Sequence, residues 1–248
     1  EVQLKVRGKR SADIPVRQQQ SGEQNADPAP QDKNVLPPQK RQSAASMIEQ
    51  PRTINCTRDF GDVLTCVRDA SAGRQSEFFG GRQCARAALE QCGIDSGLIG
   101  MGADQLPKWP AGFLGSISHS KGYCAAVAAS RSDFSGLGLD LEKTNRLSDA
   151  AMRRVLHPDE LVFAEGNQRL ASLLFSAKEA FYKMQFPRWR TTANFHDLAL
   201  SVDEATFVVE LKVKQISRRF NEALRERVQE VHIRSQFFED YVVSVCWM

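Results

Sequence analysis

Residues 115–142, GSISHSKGYCAAVAASRSDFSGLGLDLE, set a few polar side chains among small and apolar ones and end in alternating leucine and acid. Successive side chains of a β-strand point to opposite faces, so Asp140 and Glu142 share one face and the two leucines share the other. Two neighbouring carboxylates repel each other unless a positive charge lies between them. A hard cation such as Mg²⁺ prefers oxygen ligands of this kind and often also binds substrate phosphates. The stretch therefore predicts a magnesium–phosphate site with His119 nearby.

The rest of the chain mixes helical and strand patterns without a regular strand–helix–strand order. The strongest helix is predicted over 168–185, where apolar residues recur at spacings of three and four from Leu170 to Phe181. Its other side carries a polar stripe of Ser172, Ser176, Glu179 and Lys183. Further helices are predicted over 77–91, 148–156 and 218–228 and from Pro158, and strands over 115–120, 123–130, 136–142, 198–202, 206–214, 230–234 and 241–247. This mixture favours the α+β class over a doubly wound parallel sheet.

Residues 1–50 are rich in Gln, Pro, Ser and charge and show no hydrophobic period, which predicts disorder. A targeting or docking tail is the alternative. The net charge of the whole chain is +3, and residues 1–50 contain eight basic and six acidic residues. The remainder is therefore nearly neutral, which argues against a non-specific nucleic-acid surface.

The six cysteines form no C-x-x-C pair, so a zinc site is not favoured. They are spread along a chain of moderate length, which indicates reduced thiols in a cytoplasmic protein rather than a disulfide framework. No apolar run reaches about 18 residues, so we predict no transmembrane helix. The first residues contain charges but no apolar core of a secretory signal.

Several known site types do not match this chain. It contains neither G-x-x-x-x-G-K-[ST] nor a G-x-G-x-x-G that follows a strand. The segment GSISHS lacks the second glycine of a G-x-S-x-G nucleophile elbow, so a serine hydrolase is not favoured.

Each candidate residue also has an ordinary explanation when it is considered alone. His119 could be structural or merely exposed, and Asp140 could be a turn acid at the end of a strand. Glu179 could complete a capping box that begins at Ser176, or form an i,i+4 pair with Lys183. The arginines at 74, 82 and 86 could form a solvated basic face or a phosphate clamp.

Taken in order, the motifs resemble a known family. They are RxxEFxxGRxxARxAL from Arg74, WPxG from Trp109, GSISH from Gly115, GLDLE from Gly138 and FSAKEAxYK from Phe175. The series resembles the 4′-phosphopantetheinyl transferases of the Sfp-type superfamily, and it is most similar to the branch typified by the enterobactin-synthase component D enzymes. The resemblance implies an α+β fold in which two similar half-domains form a pseudo-dimer with coenzyme A in the cleft. We place the half-domains at 51–134 and 135–248 and expect the first to be truncated or altered before Arg74.

The resemblance also implies a role for individual residues. The magnesium ligands would be Asp140, Glu142 and Glu179. The general base would be Glu179, and Lys183 would contact the phosphates and assist the leaving group. The coenzyme A phosphates and nucleotide end would be bound by Arg74, Arg82, Ser118, His119, Asp140 and Lys183, with Lys108 in place of the basic loop residue that is usual in the family.

The implied reaction is Mg²⁺-dependent transfer of 4′-phosphopantetheine from coenzyme A to a serine of an apo acyl or peptidyl carrier protein. The carriers of fatty-acid, polyketide, siderophore and peptide synthesis, including enterobactin synthesis, all remain possible partners. We expect a monomer without nucleic-acid partners. The alternatives are a non-catalytic module of the same fold that binds coenzyme A or a carrier protein, and a metal-dependent phosphohydrolase.

Overall fold

A computed structural model of the chain describes residues 3–6, 45–49, 70–203 and 209–248. It contains two sheets, and each is covered by a long helix. The first sheet has the order β1-β2-β4-β3 and comprises β1 (Gln3–Val6), β2 (Ala45–Glu49), β3 (Phe113–Ser120) and β4 (Tyr123–Ser130). The second has the order β5-β9-β8-β7-β6 and comprises β5 (Leu137–Lys143), β6 (Leu198–Asp203), β7 (Val209–Ile216), β8 (His232–Phe238) and β9 (Tyr241–Trp247).

The helices are α1 (Ala72–Gln91), α2 (Asp149–Val155), α3 (Pro158–Phe163), α4 (Gln168–Trp189) and α5 (Glu222–Glu226). We call the first sheet with α1 the first lobe, and the second sheet with α2 to α5 the second lobe. The α+β class is thereby confirmed. The predicted bounds of the half-domains, 51–134 and 135–248, stay predictions.

The first helix, α1, begins five residues earlier than the predicted range of 77–91. The Ser71 hydroxyl caps it by accepting a hydrogen bond from the Arg74 backbone N–H at 3.3 Å, which satisfies one of the donors left without a partner at a helix start. Gly93 follows its end with a φ of 81°, a left-handed conformation that suits glycine. The earlier start places Arg74 within the helix instead of ahead of it.

The long helix of the second lobe, α4, runs to Trp189, beyond the predicted end at residue 185. Its N-cap is Asn167, so the capping box suggested at Ser176 is wrong. Ser176 is fully buried in the helix interior, and the nearby Ser172 hydroxyl donates to the carbonyl oxygen of Thr144 at 3.0 Å. The polar stripe of α4 therefore lies against the β5 side of the sheet instead of facing water.

The alternation predicted for β5 is confirmed. Leu139 and Leu141 are buried between the two sheets, beside Ala125 and Val127 of β4. The opposite face of β5 packs against α4, because a Cβ at Gly138 would overlap the carbonyl oxygen of Ala180. Asp140 and Glu142, two and four residues after Gly138, are on this helix-facing side.

Gly138→Ala is expected to destabilise the protein by about 3 kcal/mol, because the added methyl group meets helix backbone that cannot turn aside. Urea unfolding measures the change. Gly73→Ala is the control, since no atom lies within 4 Å of the added carbon in α1. Equal stability of the Gly138→Ala variant and the wild type would contradict the close packing of β5 on α4.

The first two strands lie in the segment predicted to be disordered. The structure differs from that prediction at Gln3–Val6 and Ala45–Glu49, where β2 pairs antiparallel with β4 and β1 pairs parallel with β2. An edge strand offers unpaired backbone groups to any extended segment, so pairing of this kind does not need a hydrophobic period. Residues 7–44 lie outside the described residues.

In the described part of the chain, the cysteines are reduced, as the sequence predicts. The residues Cys84, Cys92, Cys124 and Cys246 carry thiols and not disulfides, while Cys56 and Cys66 lie outside the described residues. Burial is the main influence that raises the pKa of the Cys124 thiol, to about 12.

No helix in the described part of the chain is both long and apolar enough to cross a membrane.

Candidate active site

The edge strands of the two sheets, β3 and β5, lie side by side and bring Ser118 to Asp140. The Ser118 hydroxyl donates to Asp140 Oδ1 at 3.0 Å and accepts from the Leu141 backbone N–H at 3.2 Å. The Lys183 ammonium on α4 donates to the same Asp140 Oδ1 at 2.7 Å and to the Ser118 oxygen at 3.0 Å. Three predicted site residues from three elements therefore form one hydrogen-bonded cluster.

The second carboxylate oxygen of Asp140, Oδ2, is buried and accepts no hydrogen bond from the described residues. Only 8% of the Asp140 side chain is exposed. A buried carboxylate oxygen without a donor is unfavourable, so this atom is suited to a cation ligand.

The other two predicted acids lie close to the same place. Burial is the largest influence that raises the pKa of Glu179; the charges of Asp140 and Glu142 raise it further, and the ammonium of Lys183 lowers it. The Glu142 carboxylate accepts from the backbone N–H of Lys143 at 2.8 Å. Glu179 therefore interacts electrostatically with both other acids and with Lys183, while Arg146 also lies 3.5 Å from Glu142.

The described residues contain no group of three or more His, Cys, Asp or Glu side chains already at metal-binding spacing. The ammonium of Lys183 neutralises Asp140 in this arrangement. The buried Asp140 Oδ2 and the interaction of Glu179 with two further carboxylates nevertheless fit a divalent cation, since Mg²⁺ prefers oxygen donors that carry negative charge.

His119 lies next to two residues of α1 that are far from it in sequence. Arg74 donates to His119 Nε2 at 2.9 Å, and Glu77 lies 3.4 Å from His119 Nδ1. Because arginine can only donate, Nε2 must be the acceptor and the ring proton is on Nδ1, facing Glu77. Burial is the main cause that lowers the pKa of His119, and the carboxylate of Glu77 opposes it.

Glu77 contacts His119 and also lies 3.7 Å from Arg74, and no role of its own was assigned to it from the sequence. The signal for it was the R-x-x-E spacing, because residues three apart on a helix are neighbours. The structure brings Arg74 and His119 together, and their binding of a phosphate stays a prediction.

The three arginines of α1 do not form one clamp. Arg82 is buried, with its guanidinium carbon 3.9 Å from the centre of the Phe78 ring. Arg86 pairs with Glu90 at 2.8 Å on an exposed part of the helix. The clamp of three arginines is therefore wrong, because each guanidinium has a different partner, and the phosphate-binding role of Arg82 stays a prediction.

A cavity of about 790 Å³ extends from Lys183 between the lobes. The residues that line it include Lys108, Trp109, Ser116, Tyr182, Lys183 and Arg190. The predicted residue Lys108 is thus on the wall of this cavity, and its contact with coenzyme A stays a prediction. A smaller cavity of about 210 Å³ is lined by Glu179 and by a largely apolar set of residues, and Tyr182 contributes to both cavities.

Two protein-family models with related descriptions match this chain, one in each lobe. The family model of the 4′-phosphopantetheinyl transferase N-terminal domain matches residues 63–129, and the model of the 4′-phosphopantetheinyl transferase superfamily matches residues 136–246.

Two curated relatives match part of the chain. It is 34% identical to 4′-phosphopantetheinyl transferase Svp of Streptomyces mobaraensis, over 62% of this chain and 66% of the relative. It is 38% identical to 4′-phosphopantetheinyl transferase Npt of Nocardia iowensis, over 47% of this chain and 55% of the relative. The chain thus spans less than two thirds of the length of either relative.

Among solved structures, the holo-[acyl-carrier-protein] synthase of Neisseria meningitidis matches with a TM-score of 0.33 and 20% identity. The match covers 46% of this chain and 97% of that protein.

Proposed function

Because this chain belongs to the 4′-phosphopantetheinyl transferase superfamily, we propose that it transfers the 4′-phosphopantetheine group of coenzyme A to a serine of an apo carrier protein. The serine oxygen would form a bond to the phosphorus of the phosphopantetheine. The bond from that phosphorus to the bridging pyrophosphate oxygen would break, and adenosine 3′,5′-bisphosphate would leave.

The observation that carries this proposal is the cluster of Ser118, Asp140 and Lys183 at the junction of the two lobes. It joins an acid, a cation and a hydroxyl beside Glu179, whose charge interacts with both Asp140 and Lys183. Phosphoryl transfer depends mainly on positioning and on neutralising charge, and the cluster combines both.

Asp140, Glu142 and Glu179 would hold the magnesium ion. When bound, Mg²⁺ would neutralise charge on the pyrophosphate and orient its oxygens. The buried Oδ2 of Asp140 supports this assignment.

The protein's own side chains would perform the remaining tasks. Glu179 would accept the proton of the carrier serine, since a serine hydroxyl is a poor nucleophile without a base. The ammonium of Lys183 would stabilise the leaving oxygen. On the other side of β3, Arg74 and His119 would bind a phosphate of the nucleotide end.

Three finer points of the proposal are the branch of the family, the carrier protein that is modified, and the oligomeric state and cellular compartment of the enzyme. We assign the chain to the branch typified by the enterobactin-synthase component D enzymes, which fits its W-P-x-G and G-S-I-S-H motifs. A monomer in the cytoplasm is expected, and the carrier proteins of fatty-acid and siderophore synthesis are both substrates to be tested.

The test is a transfer assay read by intact-protein mass spectrometry. The protein is incubated with coenzyme A, Mg²⁺ and an apo carrier protein from either fatty-acid or siderophore synthesis. The expected result is a carrier heavier by one phosphopantetheine group, with no gain when the carrier serine is replaced by alanine. Binding of coenzyme A without any mass gain on either carrier would contradict the transferase and indicate a binding module.

A further inference from the structure

The loop at 101–107, before Trp109, is built around the carboxylate of Asp104. The Gly102 N–H donates to the carbonyl oxygen of Leu106 at 2.8 Å, and Gln105 has a left-handed φ of 65°. Asp104 Oδ1 accepts from the Leu106 backbone N–H at 3.2 Å. A Cβ at Gly102 would lie 2.6 Å from the same carboxylate oxygen, so this glycine makes room for it.

The other carboxylate oxygen of Asp104 reaches the second lobe. Arg190 Nη2 donates to Asp104 Oδ2 at 2.6 Å, although the two residues are 86 positions apart. Arg190 caps the end of α4 with a left-handed φ of 53° and donates its backbone N–H to Phe186. The hydrogen bond from Arg190 is the largest influence that lowers the pKa of Asp104.

The pair lies on the wall of the large cavity. Among the described residues that line it, the basic ones are Lys108, Arg131, Lys183, Arg188 and Arg190, and Asp104 is the one acid. On electrostatic grounds alone, a carboxylate in this place opposes the binding of an anionic ligand. Asp104 nevertheless accepts hydrogen bonds from Leu106 and Arg190, and these bonds hold the 101–107 loop in place. We therefore interpret Asp104 as a residue that positions this loop.

Arg190 is the C-cap residue that follows the last helical residue of α4, Trp189, and it comes seven positions after Lys183 in the sequence. Lys183 and Arg190 both line the large cavity. The Asp104–Arg190 pair therefore lies on the wall of the same cavity as Lys183, and it ties the 101–107 loop to the end of α4.

We propose that the Asp104–Arg190 ion pair is a clasp that positions coenzyme A in the large cavity by holding the 101–107 loop against the end of α4. This inference rests on the proposed function. The two residues are positioning residues, because their ion pair is separate from the cluster of Asp140 and Lys183. The clasp would change how tightly coenzyme A is held and leave the chemical step unchanged.

The test separates KM for coenzyme A from kcat in the transfer assay. Asp104→Asn keeps an oxygen for the Leu106 N–H and removes only the charge, so KM is expected to rise about two- to fivefold with kcat unchanged, as for loss of one exposed ion pair. Arg190→Gln should raise KM at least as much. The double variant should be no worse than Arg190→Gln alone, because the two changes remove one interaction.

The matched control is Asp159→Asn, which removes an ion pair with Lys214 of similar length and exposure, 2.9 Å, that lies within the second lobe. It should leave KM unchanged. An unchanged or lowered KM in Asp104→Asn, with normal transfer by the wild type, overturns the clasp alone. Failure of the wild type to bind coenzyme A, measured by calorimetry, overturns both the clasp and the proposed function.

Discussion

Glu179→Gln should lower the rate of phosphopantetheine transfer by about 10²–10⁴-fold while the protein stays folded, because glutamine cannot accept the serine proton. The substitution preserves the size of the side chain. It also removes a buried charge that Asp140 and Glu142 repel, so the thermal midpoint should be equal to or above that of the wild type.

The measurement is the initial rate of carrier modification at saturating coenzyme A, together with a thermal unfolding curve for each variant. Glu165→Gln, at an exposed acid after α3, is the matched control and should transfer at the wild-type rate. Wild-type turnover in Glu179→Gln would remove both roles assigned to this residue. A rate loss accompanied by a large fall in melting temperature would instead point to a structural role.

Lys178→Met should lower the free energy of unfolding by about 3–5 kcal/mol, because it leaves the buried carboxylate of Glu160 without its cation. The two side chains are 2% and 1% exposed and 2.6 Å apart. Burial is the main cause that lowers the pKa of Lys178, and the charge of Glu160 opposes that effect.

The Glu160 carboxylate holds several elements together, which explains the size of the expected loss. It accepts from the backbone N–H groups of His157 and Leu200, each at 2.7 Å, and so connects the start of α3 to β6. The Lys178 ammonium also donates to the carbonyl oxygens of Val155 and Phe195, at 3.2 and 2.9 Å. These groups lose a partner when the lysine is removed.

Urea unfolding of three variants tests this explanation. Lys214→Met, which breaks the exposed pair with Asp159, should cost at most about 1 kcal/mol. The double variant Lys178→Met with Glu160→Gln should be more stable than Lys178→Met alone, because no unpaired charge remains buried and the amide oxygen can still accept from the Leu200 backbone N–H. A loss below about 1 kcal/mol in Lys178→Met would show that the pair is not important for stability.

The two residues at 178 and 179 belong to one motif and have different tasks. Neighbours on a helix are about 100° apart, so Lys178 points towards α2 and α3 while Glu179 interacts with the charges of the cluster. The sequence motif contains both residues, but the resemblance assigned a role only to Glu179, and the structural role of Lys178 is evident only from its contacts.

The local pattern of apolar and polar residues was sufficient to predict most of the helices and strands. The period of two in β5 predicted which side of the strand carries Asp140 and Glu142, and the period of 3.6 predicted α4, because both depend only on backbone geometry. Element ends were less predictable. The starts and ends of α1 and α4 depend on the Ser71 cap and on the conformation of Arg190, which a hydrophobic pattern does not contain.

The sequence by itself determined the class of fold, the shared face of Asp140 and Glu142, and the family motifs, since these follow from the order and spacing of side chains along the chain. Only the tertiary structure decided which distant residues meet. The contacts of Lys183 with Asp140, Glu77 with His119 and Arg190 with Asp104 join separate elements. They depend on how elements that are distant in sequence pack against one another, and the spacing of residues within a single helix or strand does not contain that information.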